Sequence, residues 1–189
     1  MSASPSTRFR LNHCAHVLAT GGVIACPTEA VWGLSCDPWN ATAVQRVLSL
    51  KRREPEKGLI LVAASEDQLA FLLDDLPDTL RRKLTMSWPG SNTWLVPHHG
   101  RVPPLIHGRF SSVAVRVSGH PEVRALCARF GTPLVSTSAN PAGVPAPKSL
   151  GAVRRYFGDA LDAVLPGPLG GAARPSTIRD VFDDSLVRV

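Results

Sequence analysis

The feature that most limits what this chain can fold into is a recurring alternation. Short apolar runs, each cut off by a turn residue, give way to segments in which apolar residues return every three or four positions. The clearest run is Gly58-Leu59-Ile60-Leu61-Val62-Ala63, too short for a buried helix and rich in branched side chains, which reads as a strand buried on both faces. Gly22-Val23-Ile24-Ala25-Cys26, stopped by Pro27, reads the same way. Between them, Val44, Val47 and Leu48 mark one helical face after Asn40, a good N-cap, and Pro55 ends the pattern. Further helices are expected at 66–73, 78–86 and 150–157. One more starts at Pro121, carries Val123, Leu126, Cys127 and Phe130 on one side, and stops at Gly131. Strands are expected at 92–97, 113–117, 133–136, 163–165, 176–179 and 186–189, and a sheet built from about six or seven of the expected strands, with helices packed on it, follows.

With 189 residues the chain suits one α/β domain. Residues 1–8, rich in Ser and small side chains, read as a loose tail, and 9–189 as the domain. Four cysteines (Cys14, Cys26, Cys36, Cys127) form no CxxC pair and match no zinc-finger spacing, so buried neutral thiols are expected. Residues 1–11 contain no apolar stretch of signal-peptide type and no run of about 18 apolar residues occurs. A cytoplasmic protein is therefore expected. The 21 Lys and Arg outweigh 15 Asp and Glu, which favours anionic partners such as nucleotides, phosphates or RNA but equally suits plain solubility.

No GxxxxGK[ST] loop, GxGxxG turn, HExxH helix or GxSxG elbow is present. Four places nevertheless draw attention. Lys51-Arg52-Arg53, with Lys57-Gly58 following, reads either as a phosphate-binding cluster or as solvated charge closing a helix. Ser136-Thr137-Ser138-Ala139-Asn140 follows a strand, where α/β sheets place ligands, and also fits an ordinary Ser/Asn turn. Thr28 and Trp32 follow the first strand, a polar group and an apolar wall, or a turn with a core Trp. Arg116, inside Val113-Ala114-Val115-Arg116-Val117, needs a carboxylate or phosphate partner if it is buried; otherwise it faces outward. His120 reads as a helix cap rather than a base.

In order, these places spell P-T-E-x-x-x-G-L, K-x-R with K-G beyond it, S-V-A-V-R, and S-T-S-A-N. The set resembles the YrdC-like family of threonylcarbamoyl-AMP synthases, over nearly the whole chain from about Gly21, and most of all its short bacterial members. The resemblance implies a single-domain twisted mixed β-sheet with flanking helices and a concave basic cleft. It implies a nucleotidyltransferase that converts L-threonine, bicarbonate and ATP to threonylcarbamoyl-AMP and pyrophosphate, with Mg²⁺ carried on the ATP phosphates and no direct protein ligand to the metal. Other tRNA-modification proteins would then pass the threonylcarbamoyl group to adenosine 37 of tRNA, and weak tRNA binding would fit the basic charge. By the same resemblance Lys51 and Arg53 are catalytic and contact ATP, together with Ser112, Ser138, Asn140 and Arg188. Thr28, Arg116, Ser136 and Ser176 contact threonine. Two departures stand out: Trp32 occupies a position where many members have Tyr, and Lys57-Gly58 replaces a His-Pro-type sequence. The competing reading is a non-catalytic RNA-binding protein, such as a ribosome or rRNA maturation factor, although no RNA-binding motif is recognisable and stacking aromatics are few.

Overall fold

The computed structural model describes residues 5–188, with the backbone alone for Arg188. In chain order the elements are α1 (Pro5–Ala19), β1 (Ile24–Pro27), β2 (Trp32–Ser35), α2 (Ala41–Lys51), β3 (Ile60–Ala63), α3 (Ala70–Leu73), α4 (Asp78–Ser87) and β4 (Asn92–Pro97). Then follow α5 (Pro104–His107), β5 (Ser112–Val117), α6 (Pro121–Phe130), β6 (Leu134–Ser138), α7 (Leu150–Phe157), β7 (Ala163–Val164), β8 (Thr177–Asp180) and β9 (Leu186–Arg188). Among the described residues the strands form one mixed sheet of nine, ordered β7-β1-β2-β6-β3-β5-β4-β8-β9.

Local signals place several of these elements. The Asn40 side chain accepts the Ala43 N–H at 3.0 Å and so caps α2, which buries Val44, Val47 and Leu48. Gly131, at φ 98°, closes α6 in the left-handed region that a side chain would resist. The stretch 66–73 is a 3₁₀ turn followed by the short α3 rather than one helix. Among the described residues the sheet has more strands than expected, β2 among them, and residues 5–8, expected in a loose tail, belong to α1, while 1–4 lie outside the described residues. Pro suits a first helical turn, and α1 is held by the buried seam Leu11, Cys14, Ala15 and Leu18. That seam is narrow and half of it is small residues, so it is faint in the sequence.

Strand register decides where the sheet is covered. Residues directly opposite one another share a face. Ser136, Ile60, Ala114 and Leu95 therefore face one way, with Leu134, Val62 and Arg116 two residues further along the same strands. The opposite face presents Leu61, Ala63, Val113, Val115 and Val135 to the larger core, where α2, α3 and α4 pack. On the first face, α1 and α6 cover only one half. Leu11, Leu18, Val123 and Leu126 pack there on Ile24, Cys26, Val62 and Leu134. Fully burying each such Leu is worth about 1.5–3 kcal/mol. The half around Ile60, Ala114 and Ser136 is left open, and both cavities described next lie over it.

Candidate functional site

The smaller cavity, of about 60 Å³, is lined by Thr28, Glu29, Arg116, Ser136, Ser138 and Ser176 among others. The larger, of about 290 Å³, has an apolar floor of Ile60, Leu95, Ala114 and Ile178, with Phe110 on its wall and Arg53, Lys57 and Ser112 among its polar lining. Ile60 and Thr137 line both, so the two are neighbouring compartments of one cleft. A polar recess beside an apolar slot is the build of a site for two chemically different ligands or ligand parts.

The smaller compartment is built around a buried charge. Arg116 is 6% exposed and Glu29, in the loop between β1 and β2, is 8% exposed. Arg116 Nη1 lies 3.3 Å from Glu29 Oε2, an ion pair without hydrogen-bond alignment. The other carboxylate oxygen, Oε1, accepts from Ser118 Oγ at 2.7 Å and from the Gly119 N–H at 3.0 Å. Burial alone would push the Glu29 carboxyl up. The Arg116 charge and the hydrogen bonds from Ser118 and Gly119 outweigh it and hold the group below the usual carboxylate range. Arg116 thus has the carboxylate partner its burial requires, yet its Nε has no hydrogen-bond partner. A guanidinium held on one side with a donor left over is equipped to take a second anion.

The hydroxyls are placed by main chain. Thr28 Oγ1 donates to the Val31 carbonyl at 2.7 Å and closes the turn between β1 and β2. Ser136 and Ser138 stand at the open end of β6, and Ser176 Oγ is 2.9 Å from Thr93 Oγ1. The Gly170 N–H donates to the Thr28 carbonyl and the Ala172 N–H to that of Glu29, so the chain beyond β7 straps this loop in place.

Structure brings most of the sequence-predicted residues together. Thr28, Arg116, Ser136, Ser138 and Ser176 line the smaller compartment, and Arg53 and Ser112 the larger. Lys51 and Asn140 line neither, but stand directly behind Ser138. Lys51, 5% exposed, donates through Nζ to the Ser138 carbonyl and, at 3.0 Å, to the Asn140 carbonyl, and lies 3.4 Å from Ser138 Oγ. Asn140 Nδ2 donates to Val144 O at 2.6 Å, tying down the loop after β6. The cations at 51–57 are therefore divided rather than one clamp: Lys51 is buried, Arg53 half-buried, and Arg52 and Lys57 exposed. Arg53 folds onto the Gly58 carbonyl through Nε at 3.1 Å, and Lys57 pairs with Glu54 at 3.0 Å on the surface. The Arg188 side chain lies outside the described residues. Trp32 is a core residue packed with Ala25, Leu34 and Phe157. His120 occupies the N-cap position of α6, but its ring makes no cap bond and instead places Nε2 3.1 Å from Pro168 O.

Glu29 is the residue that sequence reasoning missed. It stands in the P-T-E motif, but its role there is signalled only indirectly: a buried Arg116 demands an anion, and Glu29 lies 87 positions upstream, with nothing local to link the two. All four cysteines are buried. Burial pushes Cys14 up to about 11 and Cys26 and Cys36 to about 12, and raises Cys127 as well, so none is a thiolate nucleophile at neutral pH.

A half-open mixed sheet carrying a buried arginine, a row of hydroxyls and an apolar slot defines a small-molecule-binding α/β protein rather than a flat macromolecular docking face. The sequence places it further. The family model for Sua5/YciO/YrdC, described as "Telomere recombination", matches residues 16–189, and the chain belongs to this family. A relative from Saccharophagus degradans, named threonylcarbamoyl-AMP synthase, is 56% identical over 179 residues, covering 95% of this chain and 94% of its own length. One of the same name from Pseudomonas aeruginosa is 57% identical over 180 residues, covering 95% and 97%. Among solved structures, P. abyssi Sua5 complexed with L-threonine superposes with a TM-score of 0.85 at 30% identity, over 95% of this chain but 54% of that longer one. E. coli YciO shares the fold, with a TM-score of 0.81 at 22% identity over 98% of this chain and 90% of its own.

Proposed function

We propose that this protein is an L-threonylcarbamoyladenylate synthase, a nucleotidyltransferase that joins L-threonine, bicarbonate and ATP into threonylcarbamoyl-AMP and pyrophosphate. The observation that carries the reading is the buried Arg116, opening onto a small hydroxyl-lined recess beside a larger apolar slot. Relatives above 50% identity bear the name of this enzyme. A structural neighbour was solved with L-threonine bound.

In this scheme the threonine carboxylate pairs with Arg116, and Thr28, Ser136 and Ser176 meet the polar ends of the amino acid. The adenine enters the apolar slot beside Phe110, and the triphosphate runs past Ser112 and Arg53 toward Ser138. Threonine's amine nitrogen first forms a bond to the carbon of bicarbonate while a C–O bond of bicarbonate breaks, the amine proton leaving with that oxygen as water, which gives the carbamate. A carbamate oxygen forms a bond to the α-phosphorus while the bond from that phosphorus to the bridging oxygen of pyrophosphate breaks. Nothing in this step needs a protein nucleophile; it needs alignment and compensation of negative charge. Arg53 supplies charge at the phosphates, and Lys51 supplies it from behind the Ser138 loop while holding that loop in shape. Mg²⁺ enters as part of the ATP substrate. Glu29, the one carboxylate lining the two compartments among the described residues, is committed to Arg116, Ser118 and Gly119.

The product would pass to tRNA-modifying proteins that place the group on adenosine 37, which goes with a cytoplasmic setting and with weak tRNA attraction. Among the described residues no helix is long and apolar enough to cross a membrane. A non-catalytic RNA-binding role is not favoured: Lys51 and Arg116, two of the motif cations, are buried rather than displayed to a polyanion.

The test is incubation of the protein with ATP, Mg²⁺ and bicarbonate in the presence of threonine, serine, valine or glycine in turn, followed by mass analysis. The expected result is the threonylcarbamoyl adenylate with threonine, with pyrophosphate released in step. Absence of any adenylate, alongside tight salt-sensitive RNA binding, would reject the reading.

A further inference from the structure

We infer that Glu29 is a positioning residue for the reaction, fixing the direction in which Arg116 presents its guanidinium. This rests on the reading of the smaller compartment as the threonine site. Three observations carry it. First, the anchor is itself anchored: Glu29 Oε1 takes the Ser118 hydroxyl at 2.7 Å and the Gly119 N–H at 3.0 Å, and Ser118 Oγ in turn accepts the His120 N–H at 3.1 Å. Second, the carboxylate meets only one side of the guanidinium, through Nη1 at 3.3 Å, and leaves Arg116 Nε buried without a partner. Third, Ser118 and Gly119 directly follow β5, the strand that carries Arg116, so one short segment holds both the arginine and the clamp on its counter-ion.

The consequence differs from that of an ordinary buried pair. Glu29 adds a negative charge next to the place where a substrate carboxylate must sit, so it does not help threonine bind by attraction. Its contribution is geometric. A guanidinium turns freely about its side-chain torsions unless something holds it, and a carboxylate seated on a turning guanidinium carries the reacting amine with it. Displacement of a reacting group by about 1 Å costs about 10²-fold in rate. Removing the Glu29 charge should leave threonine affinity nearly intact, through attraction to an Arg116 that has lost its counter-ion, while turnover falls.

Two variants test this. Glu29→Gln keeps the shape and removes the charge. Ser118→Ala keeps the charge and removes one anchor of Oε1. Threonine binding by calorimetry gives both affinity and the number of competent sites, and adenylate formation gives kcat per competent site. A partly unfolded preparation would appear as fewer sites, not as slower turnover per site. The expected result is a fall in kcat of about 100-fold for Glu29→Gln and about tenfold for Ser118→Ala, with threonine affinity within about threefold of the parent in both. Unchanged kcat per site in Ser118→Ala would overturn the inference, as would a loss in Glu29→Gln confined to affinity or to the number of sites. If the unaltered protein formed no adenylate with threonine, the functional reading itself would fail, a result distinct from any of these.

Discussion

Replacing Arg116 with lysine is expected to lower kcat/KM for threonine by about 10²–10³-fold, with little change in fold stability. The size follows from the loss of a preorganised donor in a site screened from water, worth about 2.7–4 kcal/mol. Lysine keeps the positive charge, so Glu29 is not stranded and the large penalty of an uncompensated buried ion does not arise. What disappears is the fork. An ammonium is a point charge that can satisfy Glu29 but offers no second, fixed pair of donors to the substrate. Steady-state pyrophosphate release with threonine as the varied substrate measures the effect. Activity of Arg116→Lys within about threefold of the parent would mean that the substrate carboxylate does not sit on this side chain. The contrast with Glu29→Gln is informative: one change removes the substrate's partner, the other loosens it.

The second large effect is expected at Lys51. Lys51→Ala should cost about 2–4 kcal/mol of transition-state stabilisation, about 30- to 900-fold in rate. It should also lower the denaturation midpoint. The part-buried Ser138 and Asn140 carbonyls both lose a donor, and since the Ser138 carbonyl keeps the Asn140 N–H at 2.9 Å the cost falls mainly on the Asn140 carbonyl, where a buried group left unpaired costs about 1–3 kcal/mol. Arg53→Ala serves as the comparison. Arg53 is only half-buried and its partners are the Lys57 carbonyl at the surface and the Gly58 carbonyl, so activity should fall while the midpoint drops less than in Lys51→Ala. Pyrophosphate release and urea denaturation of the two variants, measured together, separate a charge that acts on phosphates from one that also holds a loop. Near-normal rates in both would reject their roles in catalysis.

The two residues illustrate how far the sequence can be read. Strong local signals carry through: the apolar run that becomes β3, the Asn40 cap of α2, and the Pro121 start and Gly131 stop of α6 all depend on residues close in the chain. Elements with weak local signals do not. Trp32–Ser35 is four residues with a glycine inside, and it is a strand because β1 and β6 flank it. The α1 seam buries two small residues among its four, so its period is faint. At the site, the residue types in the motifs are legible, and the order of the motifs points to one family. The division of labour among them is not. Lys51 and Arg53 are two positions apart, yet one reaches across to the end of β6 and the other back onto the chain at Gly58. Which way each side chain turns depends on the packing of α2 against the sheet, a contact between segments far apart in sequence. Glu29 is hidden for the same reason. A single carboxylate after a strand gains meaning only when β1, β5 and the turn at Ser118 meet.

The central claim is that one cleft holds an amino acid on Arg116 and a nucleotide over the open half of the sheet at the same time. A crystal structure of the protein with L-threonine and a non-hydrolysable ATP analogue addresses it directly. The account predicts the threonine carboxylate at about 2.7–2.9 Å from the Arg116 guanidinium, with the adenine beside Phe110 and the phosphates between Arg53 and Ser138. Threonine bound elsewhere, or a nucleotide whose phosphates point away from the smaller compartment, would contradict it.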